Sequence, residues 1–428
     1  MSRRYLAAVI VCGMAAAAFA ADPFELTGVP PGVKPLPIKL PGDFPAPARI
    51  EGQPVETRPP ELATDTAAFP GQTRAPYHAT APYAVTTVAD KLLSPWCLAF
   101  LPDGRILVTQ RAGTLVIVDA RGAISEPLKN LPPVRANGVG GLLDVALDRS
   151  FATNRRIFFS FSEELADDKT DIAIASATLD ANAGALNGVK VIFRAAPVLP
   201  RTLAGNQGGK LVVAPDGSIF ATIGDRSRSP PWEVAQRLDT HLGKIIHITA
   251  DGAPAPGNPF IGKAGALPEI WSIGHRNALG LAFAPDGQLW EQENGPRGGD
   301  ELNLIKPGKN YGWPLVTHGI DYPGGEIAGG ATAKDGLEQP RYFWDPVIAP
   351  AGLAFYTGNL FPEWRGSAFV GALRGKLLDR VAVAGDKIVN EEPMLFDLES
   401  RVRDVKVGPD GAVYVVTDDG KLLKLTPK

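Results

Sequence analysis

Two cysteines in 428 residues leave this chain without a disulfide framework. Cys12 lies in a leader-like segment, and Cys97 alone stays behind once that segment is removed, so no intrachain disulfide forms even in an oxidising compartment. Cys97, inside "PWCLAF" beside Trp96, reads instead as a small buried hydrophobe. An excess of one charge is also missing. The formal charge is −3, and −5 without Arg3 and Arg4, which gives no support to binding of nucleic acid or an anionic membrane. Long helical patterns are scarce, with "WEVAQRLDTHLGKI" the best short candidate. The one marked apolar run, in "MSRRYLAAVIVCGMAAAAFA", is too short and Ala-rich for a membrane span.

That run reads as an export signal, residues 1–20, with cleavage after Ala20, which predicts a periplasmic or secreted protein. The Arg3-Arg4 pair hints at the twin-arginine type. Residues 21–82 are crowded with proline, as in "VPPGVKPLPIKLPGDFPAPARI", and predict an extended arm or linker poor in regular structure. A docking segment for a partner is the other reading of that arm.

What the chain has in abundance is glycine and proline, 47 and 40, more than a helical protein tolerates. Many of them fall into one returning pattern, an apolar strand, a Pro-Asp-Gly turn and a second apolar strand: "LAFLPDGRILVTQR", "LVVAPDGSIFATIGD", "LAFAPDGQLWEQEN" and "VKVGPDGAVYVVTDD". The turn aspartates are Asp103, Asp216, Asp286 and Asp410, separated by 113, 70 and 124 residues. Each long gap holds a degenerate copy, one near Asp148 and one near Pro362, which makes six hairpin-centred units. Residues 83–428 are therefore predicted to be an all-β six-bladed β-propeller. The last strand, "GKLLKLTPK", is expected to pair with the early strand "YAVTTVA" and close the ring. An ordinary β-sandwich is the rival, but it does not explain the spacing.

Three loops carry candidate chemistry. "IGHRNALGLAF" puts His275, Arg276 and Asn277 just before a strand, where polar groups need exposure or partners. In "ENGPRGGDEL", Gly295 and Pro296 offer bare carbonyls and Asp300 and Glu301 carboxylate oxygens, the hard-oxygen set that Ca²⁺ accepts. In "ESRVRDVKV", Arg401 and Arg403 share one strand face and can grip a polyanion. Singly, each is what a solvated turn or strand face also shows. Together, a cation site beside several arginines is what an anionic, metal-chelating cofactor needs.

From roughly Phe69 to Lys428 the chain resembles the soluble pyrroloquinoline quinone (PQQ) dependent aldose and glucose dehydrogenases. The resemblance lies in "SPWCLAFLPDGRILVTQRAG", "GGLLDVALD", "IGHRNALGLAFAPDG", "ENGPRGGDELNLIKPGKNYGWP", "IAPAGLAFYTG" and "RVRDVKVGPDG". It implies a six-bladed propeller that holds PQQ and Ca²⁺ at its channel mouth and oxidises a sugar's C1 hydroxyl, delivering hydride to the quinone. It further implies that Gly295 and Pro296 give carbonyls to Ca²⁺ and that Asp300 supports the metal loop. Arg276, Asn277, Arg374, Arg401 and Arg403 then hold the cofactor.

The chain departs from this pattern at the base. Where such dehydrogenases carry histidine in a His-x-Gly-Gly-Arg-Leu context, "AGNQGGKLVVAPDG" has Asn206, with Lys210 in the arginine's place and Gly205 before it. Val139 stands where glutamine is common. An amide accepts no proton at neutral pH, so Asn206 orients a hydroxyl but is no general base. Lys210 and Glu293 are the candidate replacements. His78, His241, His247 and His318 lie away from the motifs, and His275 is expected to be structural. Three functions follow: a PQQ dehydrogenase with altered substrate or reduced activity, a propeller that binds a ligand or partner without oxidising it, or a Ca²⁺-dependent propeller lactonase.

Overall fold

The computed structural model describes residues 46–136, 138–200, 205–226 and 233–428. The expected export signal, its cleavage site and the first part of the arm lie outside the described residues. Six antiparallel sheets follow one another along the chain. Their innermost strands are Pro95–Phe100, Leu142–Leu147, Gly208–Val213, Ala278–Phe283, Pro350–Phe355 and Val402–Val407. Each touches the next, and the sixth returns to the first, so the sheets are blades 1 to 6 of a closed propeller around one channel. A sandwich has no such cyclic order.

Closure occurs in blade 6, where Tyr83–Ala89 pairs antiparallel with the C-terminal Leu422–Pro427, Tyr83 opposite Pro427. The first and last strands of the propeller therefore share one sheet.

The Pro-Asp-Gly repeat has a uniform geometry. Gly104, Gly217, Gly287 and Gly411 each donate a backbone hydrogen bond of 2.9 Å to the residue three before, and each holds φ between 80° and 87°. That left-handed conformation selects glycine. The aspartate carboxylates accept the N–H two residues on, at Arg105, Ser218, Gln288 and Ala412, over 2.9–3.2 Å. Each turn thus pins the register of the innermost strand against the second one.

The short helix expected around residues 232–245 is a correction. Only Glu233–Gln236 turns, as one stretch of 3-10 helix, and Lys244–Ile248 is a strand of blade 3. Gly243, at φ 69° just before that strand, passes close to Ala235 and the His275 carbonyl, each 2.6 Å from where a Cβ would sit. No helix among the described residues is long and apolar enough to cross a membrane.

The spaces between blades are filled by alternate apolar side chains. Phe158, Phe159 and Phe161 of blade 2 join Leu107 and Leu115 of blade 1 and Ile219 and Ile246 of blade 3 in one buried cluster. Each such side chain contributes about 1.5–3 kcal/mol by leaving water. Cys97 packs there with no exposure, and burial pushes its thiol pKa well up.

The described part of the arm runs over blades 4 and 5. Its own Leu62 and Ala75 are buried, its Gln72 donates to the Pro340 carbonyl (2.9 Å), and its Glu61 pairs with Arg297 (2.7 Å).

Candidate functional site

One end of the channel carries six equivalent backbone hydrogen bonds. In five blades the residue after the second strand donates to the residue before the innermost one, and in blade 2 the donor, Ser162, lies within the second strand, Arg156–Leu165. The pairs are Arg111 to Ser94 (3.0 Å), Ser162 to Gly141 (2.9 Å), Gly224 to Gln207 (3.0 Å), Asn294 to Asn277 (3.1 Å), Leu373 to Ala349 (2.8 Å) and Asp418 to Arg401 (3.0 Å). Every innermost strand also breaks register near its start, a bulge that re-aims the residues at this rim. The rim is thus a ring of structurally equivalent positions. Asn206, Arg276, Asn277, Gly295, Pro296, Arg374 and Arg401 all lie on it or one or two residues away. Arg403 reaches it through its side chain.

Blades 3 and 4 are stitched together at the rim. The Asn206 amide nitrogen donates to Asp225 Oδ1 (2.8 Å), and Trp313 Nε1 donates to Asp225 Oδ2 (2.8 Å). The Asp225 N–H donates to the Arg276 carbonyl (2.9 Å). Gly224 is required here, because a Cβ would fall 2.0 Å from the Asn206 carbonyl oxygen. The Arg276 guanidinium, 5.3 Å over the Trp313 ring and 5.8 Å over that of Tyr322, donates to the Asn294 and Gly295 carbonyls (2.9 Å each). Asn277 accepts from Gly208 N (3.1 Å) and donates to Asn294 Oδ1 (2.9 Å).

The loop of Gly295 and Pro296 leaves no room for a side chain at position 295, since a Cβ there would sit 2.2 Å from the Gly298 carbonyl. Asp300 shapes that loop from behind. Its carboxylate accepts Gly295 N (2.9 Å), Ile348 N (2.8 Å) and Ala349 N (2.7 Å), while burial raises its pKa to about 7. No described residue donates a hydrogen bond to the Pro296 carbonyl.

Beneath the loop, His275, Glu291 and Glu293 bring ligand atoms within 4.8 Å of one another. Glu293 is fully engaged there, by the Arg276 N–H, by His275 Nδ1 (3.3 Å) and by Asn303 (3.4 Å). The His275 ring also meets Ser272 Oγ (2.9 Å) and stacks on Tyr311.

The arginines divide into paired and unpaired ones. Arg401 Nε and Arg403 Nε reach opposite oxygens of Asp418, at 2.7 and 2.8 Å. Arg374 and Arg111 are half-buried, and neither side chain has a hydrogen-bond or ion-pair partner among the described residues. Burial pushes the pKa of both down.

Lys210 is a correction. It lies inside the innermost strand of blade 3 rather than at the rim, with Nζ 2.7 Å from Asp404 Oδ1, 3.7 Å from Asp144 Oδ1 and 4.9 Å from the Trp96 ring centre. Burial opposes its charge, but the two carboxylates more than offset that and raise its pKa. An ammonium so held accepts no proton. Val139 is half-buried in the loop leading into blade 2.

Asp225, Trp313, Tyr322, Asp418 and Arg111 were not picked out from the sequence. A signal existed, since the residue eight positions after each turn aspartate is Arg111, Gly224, Asn294 or Asp418, one rim member per blade.

Behind the rim in blade 2, Asp171 is buried, and neither carboxylate oxygen has a partner among the described residues. Burial first, then Glu163 opposite, raises its pKa to about 6. The folded state therefore holds the proton more tightly than the unfolded one, and stability falls as pH rises from about 4 to about 6. Asp171→Asn is expected to raise the melting temperature more at pH 8 than at pH 4, read by calorimetry at both. A cavity of about 190 Å³ under the arm, lined by Val55, Arg58, Arg74, Tyr342 and Glu391 among others, touches none of the rim pairs.

The profile of the family described as Glucose / Sorbosone dehydrogenase matches residues 92–424. The chain is 42% identical over 351 residues to the aldose sugar dehydrogenase YliI of Escherichia coli (strain K12), covering 80% of this chain and 93% of that protein. The crystal structure of the soluble Escherichia coli aldose sugar dehydrogenase in its apo form superposes with a TM-score of 0.77 at 40% identity, covering 81% of this chain and all of that one. The PQQ-bound aldose sugar dehydrogenase of Streptomyces coelicolor does so with a TM-score of 0.66 at 31% identity, covering 81% of this chain and 99% of that one. With this match spanning all six blades, the chain belongs to the glucose/sorbosone dehydrogenase family.

Proposed function

We propose that the channel rim binds PQQ and Ca²⁺ and that the protein oxidises the C1 hydroxyl of an aldose to a lactone, slowly. The observation that carries this is Arg374, a half-buried cation at the rim with no partner among the described residues. A fold gains nothing from such a group unless an anion meets it. A tricarboxylate supplies that anion, and the residues present suit it. Arg276, Arg401 and Arg403 add positive charge, Asn277 adds an amide, and Gly295 and Pro296 present carbonyls to a hard cation. The Gly295 oxygen already accepts from Arg276, but a carbonyl has a second lone pair.

When bound, PQQ supplies the hydride acceptor. The chain's own part is to orient the sugar and manage its hydroxyl proton. Asn206, held by Asp225, can orient the hydroxyl but cannot take the proton. Lys210 is locked as a cation and Glu293 is taken up by three donors, so neither replaces the missing base. Slow turnover follows. The leader-like N-terminus supports a periplasmic or secreted setting, with a small-molecule sugar as substrate and a separate electron acceptor.

The Asn206 observation also supports a second reading, a propeller that binds its ligand without oxidising it. Dye-linked oxidation of an aldose panel, with and without PQQ and Ca²⁺, separates the two. Dye reduction that depends on both supports the dehydrogenase. No reduction by a PQQ-loaded protein supports the binding-only reading, and lactone hydrolysis without quinone supports a lactonase.

A further inference from the structure

We infer that Arg111 is a cofactor-binding residue of blade 1, a guanidinium that grips a carboxylate of PQQ beside Arg401 and Arg403. The inference rests on reading the rim as a PQQ site, but its observations are its own.

Position comes first. The rim position after the second strand carries Asp225 in blade 3, Gly295 and Pro296 in blade 4, Arg374 in blade 5 and Asp418 in blade 6, each at it or within two residues. Arg111 is the blade 1 member of that ring, fixed by its N–H to Ser94 (3.0 Å) and by its carbonyl, which accepts Leu142 N (3.1 Å). Its stem lies in a notch made by Gly141. There φ is 148°, and a Cβ would come 2.1 Å from the Arg111 carbonyl and 2.6 Å from its Cγ. The side chain is therefore held in place before any ligand arrives.

Charge comes second. Arg111 is half-buried and unpaired among the described residues, and its charged neighbours are Arg403, Asp418 and Arg401. Three guanidiniums thus face one carboxylate, which already accepts from two of them. An arginine that serves packing here looks different. Arg380, which is fully buried, is matched by Glu392 (2.6 Å) and Ser367 (2.9 Å). Arg111 sits instead where like charges repel it, an arrangement an incoming anion relieves.

A carboxylate at this spot can also come from an acidic sugar, and the test separates the sources. Full-length native protein, Arg111→Gln and Arg111→Lys are titrated with PQQ in Ca²⁺ by calorimetry, and KM for glucose and glucuronate is measured for each. The glutamine variant is expected to bind PQQ roughly tenfold or more weakly, with a shallower salt dependence, while lysine restores most of the loss. Phenylglyoxal labelling of the native protein, read by peptide mass, is expected to modify Arg111 and to be blocked by PQQ. That arm holds even if a variant misfolds. Equal PQQ affinity in native and glutamine variant, or labelling of Arg111 unaffected by PQQ, overturns the inference. A change confined to KM for glucuronate overturns it in favour of a substrate subsite. Failure of the native protein to bind PQQ overturns the proposed function together with this inference.

Discussion

Replacing Asn206 with histidine is expected to raise dye-linked sugar oxidation by roughly 10²-fold, within the 10²–10⁴ that a positioned general base contributes. The surroundings suit an imidazole. Asp225 already holds the Asn206 amide at 2.8 Å, and its other oxygen is fixed by Trp313. A carboxylate so placed sets one tautomer and raises ring basicity, leaving the second nitrogen for the substrate hydroxyl. Gly205 and Val139 depart from the dehydrogenase pattern at the same place, so the gain is expected at the lower end. Asn206→His combined with Asp225→Asn is expected to lose most of it. Steady-state kinetics of the three proteins, all loaded with PQQ and Ca²⁺, checks this. A native enzyme already as fast as the histidine variant would show that another group takes the proton.

Lys210→Ala is expected to cost stability rather than turnover chemistry, by about 3–5 kcal/mol, the usual penalty for stripping one partner from a buried ion pair. Nζ lies 2.7 Å from Asp404 and 3.7 Å from Asp144, and all three side chains are at most 2% exposed. Without the lysine, two carboxylates face each other in the channel wall. Burial raises the Asp404 pKa, yet Lys210 brings it below the usual carboxylate range. Its contribution is therefore present above about pH 4 and lost as pH falls through the folded pKa. Chemical denaturation at pH 7 and pH 3 is expected to show the native protein losing more of its advantage over the variant at the lower pH. A variant as stable as native at pH 7 would contradict the pairing.

The architecture was legible because its signal is local. A Pro-Asp-Gly turn needs only four residues to set φ at Gly104, Gly217, Gly287 and Gly411, and the turn aspartates carry their own capping bonds. Blades 2 and 5, whose turns lack the motif, were found by spacing. What could not be read is what depends on closure of the ring. Lys210 meets Asp404 from 194 residues away, so a residue that looked like a candidate base is a structural cation. Trp313 reaches Asp225 across 88 residues, and Asp225 in "IGDR" looks like any turn aspartate until Asn206 is placed against it. The helical pattern after residue 232 failed for a nearer reason, since Gly243 must pass under Ala235 and His275 where no helix continues. The arm's prolines agree with the absence of named strands among its described residues, 46–82, but did not reveal the Glu61–Arg297 pair that ties it to the loop of Gly295 and Pro296.

The most direct measurement is a calorimetric titration of the cofactor-free protein with PQQ, once in Ca²⁺ and once with the metal chelated. The account predicts one saturable site per chain in Ca²⁺ and much weaker binding without it, because the carbonyls of Gly295 and Pro296 would hold the cation and its charge would offset the cofactor's carboxylates beside Asp300. No binding in either condition, or equal affinity in both, would contradict it.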